Sequence, residues 1–166
     1  MMRRLLPTIL LLVLLIADTT LLPIFTRHWL MPIFSLITVN CFGLMYGRTR
    51  GLWYGLLGGL LMDISVGSPL GLWTITYVLY GYLGGLIARA TNWSKLGPVI
   101  SGGVSRLVLE LMMLVFGFIV SVGLTTPPLK QIPARIALEM ALAPIFFYIY
   151  NVLLRPSQSR FAARRK

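Results

Sequence analysis

The stretch Gly51-Leu-Trp-Tyr-Gly55-Leu-Leu-Gly-Gly59-Leu-Leu-Met-Asp63-Ile-Ser-Val-Gly67-Ser68-Pro-Leu70-Gly71-Leu-Trp73 decides how the chain is read, because it sets a carboxylate and a run of glycines inside apolar sequence. Gly51, Gly55 and Gly59 recur every four residues, so on a helix they share one face and form two overlapping small-xxx-small patterns. Gly81 and Gly85 repeat that spacing in the next apolar segment. Lipid tails are as apolar as leucine, so helices in a bilayer associate through close van der Waals contact, and glycine lets two backbones approach. These five glycines read as helix-packing positions. Asp63 lies near the end of its own helix, where the dipole disfavours a negative charge. Residues 67–71 turn the chain sharply, and the unpaired N–H groups near Leu70 and Gly71 at the start of the next helix return to the same depth. Asp63, with Gly67, Ser68, Leu70 and Gly71, is thus expected to staple two helices together or, on the rival reading, to form a docking contact.

Outward from this stretch, composition fixes the class. The chain has 166 residues, 57% hydrophobic and 11% charged, with a mean hydropathy of +0.85, far above soluble domains. Long uncharged runs (Trp29 to Gly47, Ile64 to Ala88, Leu111 to Leu129) extend from end to end. The expectation is an all-α polytopic membrane protein with one transmembrane domain over residues 1–154 and a basic tail over 155–166. Six spans are expected, at about 5–25, 29–47, 51–66, 70–88, 99–121 and 136–154. The basic start Arg3-Arg4 followed by Leu5 to Ala17 resembles a signal sequence, but the apolar character continues past Asp18 to Phe25 without a small-x-small site, so it reads as a retained helix.

The net charge of +11 follows the topology and is no sign of nucleic-acid binding. Arg3 and Arg4 at one end, and five basic residues between Arg155 and Lys166 at the other, place both termini in the cytoplasm, which requires an even number of crossings. With six, eleven basic residues fall inside and only Arg27, Lys130 and Arg135 outside, with Arg106 left within a span. The third segment, sixteen residues over 51–66, is short for a bilayer core of about 30 Å and is expected to cross by local thinning. Ser68-Pro69 reads as an N-cap with proline at the first helical position, Pro98 and Pro133 mark the starts of the fifth and sixth spans, and Pro144 is expected to kink the sixth.

All four acidic residues (Asp18, Asp63, Glu110 and Glu139) fall within predicted spans, where an ionised group is expensive and normally faces the bundle interior. Arg106 and Glu110, four apart on one face with Gly103 and Gly117, are expected to form a buried charge pair, and Arg135 and Glu139 have the same spacing. Cys41 is the single cysteine, so no intrachain disulfide forms, and His28 beside Trp29 is a boundary residue with no second ligand nearby. No constellation for catalysis, metal or cofactor binding is present in the sequence.

The run Gly51 to Asp63, then Gly67-Ser68-Pro69-Leu70-Gly71, then Tyr77 to Ala88 with Gly81-Tyr82-Leu83, resembles the rod shape-determining MreD family, whose signature is a glycine-rich helix ending in Asp and a Ser-Gly-Ser-x-Leu-Gly turn. Val66 stands where the family often has Ser. The resemblance implies a multi-pass protein of the bacterial inner membrane, a non-enzymatic adaptor of cell elongation. Its partners would be the single-span scaffold MreC, the actin-like MreB, and the wall-building glycosyltransferase and transpeptidase, with anionic lipid at the basic tail. The family is also similar in fold to the S components of energy-coupling-factor transporters, which supplies the alternative of a substrate-binding subunit for a vitamin or small solute.

Overall fold

A computed structural model describes residues 2–20, 34–66, 71–91, 96–120 and 132–154. Within them are six helices: α1 (Met2–Thr20), α2 (Phe34–Tyr46), α3 (Arg48–Val66), α4 (Leu72–Ala90), α5 (Gly97–Val120) and α6 (Ile132–Leu154). The described part of the chain is all-helical. α2 carries three consecutive β-branched residues, Ile37, Thr38 and Val39, which are weak helix formers in water. It is helical because every backbone group in an apolar interior must be bonded within its own segment.

α2 is the centre of the molecule. It packs against each of the other five helices, and every residue from Ser35 to Met45 is buried. The most extensive helix–helix packing is between α3 and α4, with α2 lying across both. α5 pairs with α6 and closes the other side of α2.

Three expected boundaries are corrected. The third helix starts at Arg48, not at 51, because Gly47 adopts the left-handed conformation (φ 89°) that ends α2 and lets α3 begin at the next residue. Its 19 residues reach about 28 Å at 1.5 Å per residue, so it is not the short segment that its charges suggested. The fourth helix starts at Leu72 with Gly71 as its N-cap (φ 109°), two residues later than expected, and the expected cap Ser68 lies outside the described residues. The sixth begins at Ile132, four residues early, with Pro133 in its first turn, and it continues through Pro144.

The distribution of side chains is inverted relative to a water-soluble domain. Asp18, Asp63, Arg106, Glu110, Arg135 and Glu139 are all buried, while Val13, Ile16, Trp53, Ile64, Leu107, Leu111, Tyr148 and Val152 are exposed on the outside of the helices. Charge inside and Leu, Ile and Val outside is the arrangement expected when the surrounding medium is hydrocarbon. By length and composition, two of the described helices are long and apolar enough to cross a membrane, over Gly97–Val115 and Ile132–Leu154.

Candidate functional site

α3 and α4 run antiparallel in contact of backbone on backbone. A β-carbon at Gly51 would strike the Gly81 carbonyl oxygen, and one at Gly81 would strike that of Gly51. Further along, Gly55 lies against the Tyr77 carbonyl and Val78, and Gly59 against Trp73 and Thr74. At the opposite end Gly85 lies against the backbone of Gly47 and Arg48. α2 joins the seam through Gly43, which meets Gly81 and Gly85, and whose Cα is 2.7 Å from where a β-carbon of Gly51 would stand. Gly43, Gly51 and Gly81 thus form a node at which three helices cross with no side chain between them.

Asp63 sits at the end of this seam. Its Oδ2 accepts hydrogen bonds from the Gly71 N–H (3.0 Å), the Thr74 N–H (3.1 Å) and the Thr74 hydroxyl (2.6 Å), and its Oδ1 accepts from the Trp73 N–H at 3.0 Å. These are the backbone donors that the first turn of a helix leaves unpaired. Gly71 has no side chain to cap them, so a carboxylate from the neighbouring helix takes that part, and the positive end of the α4 dipole offsets its charge. The close approach that Gly59 allows to Thr74 brings Asp63, one turn further along α3, within reach of the α4 terminus. Gly67, Ser68 and Leu70 lie outside the described residues.

The same device recurs between α1 and α2. Asp18, near the end of α1, accepts from the Ser35 N–H (2.7 Å) and the Ser35 hydroxyl (2.5 Å) through Oδ2. The Ser35 hydrogen is thereby used, so the Tyr77 hydroxyl, 2.5 Å away, donates to Ser35 Oγ. By the same reasoning Thr38, which donates to the Phe34 carbonyl, accepts from the Tyr150 hydroxyl at 2.8 Å. Asn40 donates to Ser105 Oγ (3.1 Å), accepts from Ser101 (2.5 Å), and presses its own backbone against Gly84. One face after another of α2 is pinned by a polar contact to α1, α4, α5 or α6.

Arg106 and Glu110 pair on α5, with Arg106 Nε at 3.1 Å and Nη2 at 2.9 Å from Glu110 Oε1. They do not stand alone. Arg135 Nη1 lies 3.6 Å from Glu110 Oε1, and Arg106 Nη1 lies 3.7 Å from Glu139 Oε2, so the four charged residues link across α5 and α6 in the order Arg135–Glu110–Arg106–Glu139 as a quartet. Tyr80 of α4 reaches Glu139 Oε2 at 3.4 Å. Gly102 makes the approach possible, its absent side chain facing Ala143 and the Glu139 backbone, whereas Gly103 faces only the flexible Met140 side chain. The surroundings of Gly117 are outside the described set.

Ser35, Thr38, Asn40, Gly43 and Gly84 were not singled out in the sequence. For Ser35, Thr38, Asn40 and Gly43 the signal is present as polar and small residues placed through the uncharged run from Trp29 to Gly47, in a helix too apolar on every face to lie at a surface, while Gly84 stands beside Gly81 and Gly85 on α4. Chemically, the arrangement commits each carboxylate of the chain to a helix terminus or a guanidinium. Among the described residues no three His, Cys, Asp or Glu side chains are grouped to hold a metal ion.

The family model for the rod shape-determining protein MreD matches residues 1–156. The chain belongs to that family, which is one of membrane proteins with a role in rod-shape determination and is not a known enzyme family. The chain matches no curated protein and no solved structure.

Proposed function

We propose that this MreD-family chain is a non-catalytic adaptor of the cell-elongation machinery, held in the bacterial inner membrane by six crossings with both termini in the cytoplasm. The observation that carries the adaptor reading is the use of the acidic residues. All four are buried and engaged in tying one helix to another, so the fold invests its costly charges in architecture. A rigid bundle with an apolar exterior suits a protein whose output is assembly.

Charge placement supports the topology. Arg48 and Arg50 begin α3, Arg89 is in the last turn of α4, and all three side chains are exposed. The antiparallel contact of Arg48 with Gly85 sets these arginines at one end of the helix pair, opposite Asp63. Basic residues at one end favour the cytoplasmic side. The 155–166 tail adds five more basic residues, with affinity for anionic lipid of about 1 kcal/mol for each one near the surface. The lateral surface of α3 and α4 is the proposed contact for an MreC-like single-span scaffold, with MreB and the peptidoglycan-synthesising glycosyltransferase and transpeptidase joining the same assembly.

Affinity purification of the tagged chain from membranes of its source bacterium tests this. Recovery of a single-span scaffold protein is the expected result. Recovery of an ATPase pair and a bound vitamin in its place would establish a transporter S component instead.

A further inference from the structure

The α5–α6 quartet is incompletely bonded by protein. Arg106, Glu110 and Glu139 are 0%, 3% and 1% exposed, yet Arg106 Nη1, Glu110 Oε2 and Glu139 Oε1 have no hydrogen-bond partner in the protein. Unpaired atoms of charged groups are costly in an apolar interior, and buried polar groups are almost always satisfied by protein or by ordered water. The unpaired set has one donor side and two acceptors. A molecule that accepts one hydrogen bond and donates two is its complement.

We propose that the quartet is a water-binding site inside the helix bundle, holding at least one ordered water between Arg106 and the two glutamates. Charge balance selects a neutral occupant. Two guanidinium groups already face two carboxylates, and a bound cation or anion would leave an uncompensated charge in a medium that opposes it. Size selects a small one, because the ion contacts across the helices are only 3.6 and 3.7 Å long. Water meets both conditions and typically makes about three hydrogen bonds when buried. Glu110 is the fourteenth residue of α5, about 20 Å from its start at 1.5 Å per residue, so the site lies well inside the helix. Tyr80 brings α4 to the same place through Glu139. The α5–α6 contact is therefore bridged by solvent as well as by ions.

Radiolytic footprinting of the full chain in lipid nanodiscs tests the site, since hydroxyl radicals made from a bound water oxidise the side chains that touch it. Tyr80 and Phe42 are both 0% exposed. Tyr80 contacts the quartet, whereas Phe42 packs among the rings of Tyr46, Tyr54 and Tyr150. With each rate normalised to that of the same residue in the unfolded chain, Tyr80 is expected to oxidise several-fold faster than Phe42. Equal protection of the two residues would overturn the proposal by showing the quartet to be dry.

Discussion

Asp63 shows how much one side chain carries. Four hydrogen bonds converge on its carboxylate, three of them from backbone donors of the first turn of α4. Asp63→Leu strands those donors, and since hydrogen bonds to a charged group contribute about 1.5–3 kcal/mol each, the loss of folding stability is expected to be about 3 kcal/mol or more. Asp63→Asn keeps one acceptor oxygen but loses the charge that the helix terminus favours, so it is expected to fall between wild type and Leu. Unfolding in mixed micelles with rising dodecyl sulfate measures both, and equal stability of the two variants, accompanied by loss of partner binding, would move Asp63 from architecture to docking. Gly81 is the complementary case. A β-carbon there meets the carbonyl of Gly51, which belongs to a backbone that cannot turn aside, so Gly81→Ala is expected to destabilise by about 1–3 kcal/mol. Gly103→Ala is the comparison, for its added carbon meets the flexible Met140 side chain rather than a backbone, and its loss of stability is expected to be smaller than that of Gly81→Ala.

At the level of helices, what was legible in the sequence is what lies in register along one strand of it. The stripe Gly51, Gly55, Gly59 and the acid that follows are periodic features of a single segment, and only residues 67–71 separate α3 from α4 in the sequence, so their partner faces follow from spacing. The start of α3 was hidden because Arg48 and Arg50 look like a loop, and only the left-handed Gly47 makes them a first turn. The interlocked quartet was hidden for another reason. Spacing of four pairs Arg106 with Glu110 and suggests Arg135 with Glu139, but the contacts across to the other helix depend on how α5 and α6 are rotated, which no spacing records. This geometry changes the expected outcome of a double-mutant cycle. Arg106→Leu and Glu110→Leu are each expected to cost about 3–5 kcal/mol, because each leaves an uncompensated buried charge. The double variant leaves Arg135 and Glu139 balanced, so it is expected to recover much of that loss in folded yield. A double variant as unstable as the sum of the singles would mean that the pair does not act as a unit.

Among the described residues of the molecule the acidic side chains are turned inward, while Arg48, Arg50 and Arg89 are exposed at one end of the α3–α4 pair. That polarity predicts that a fluorescent protein able to mature only in the cytoplasm will be bright when fused after Lys166; a dark, stably inserted fusion, with a periplasmic reporter active there, would imply an odd number of crossings. The same pattern leaves an apolar exterior and gives the interior to holding the described helices in one arrangement, which supports the adaptor role proposed above. The most direct measurement is the length-to-width ratio of cells of the source bacterium as this chain is depleted and then restored. Depleted cells are expected to become round, the wild-type chain to restore rods, and Asp63→Leu, inserted but unable to hold α4, to fail to restore them. Cells that keep their rod shape after full depletion would contradict the adaptor role.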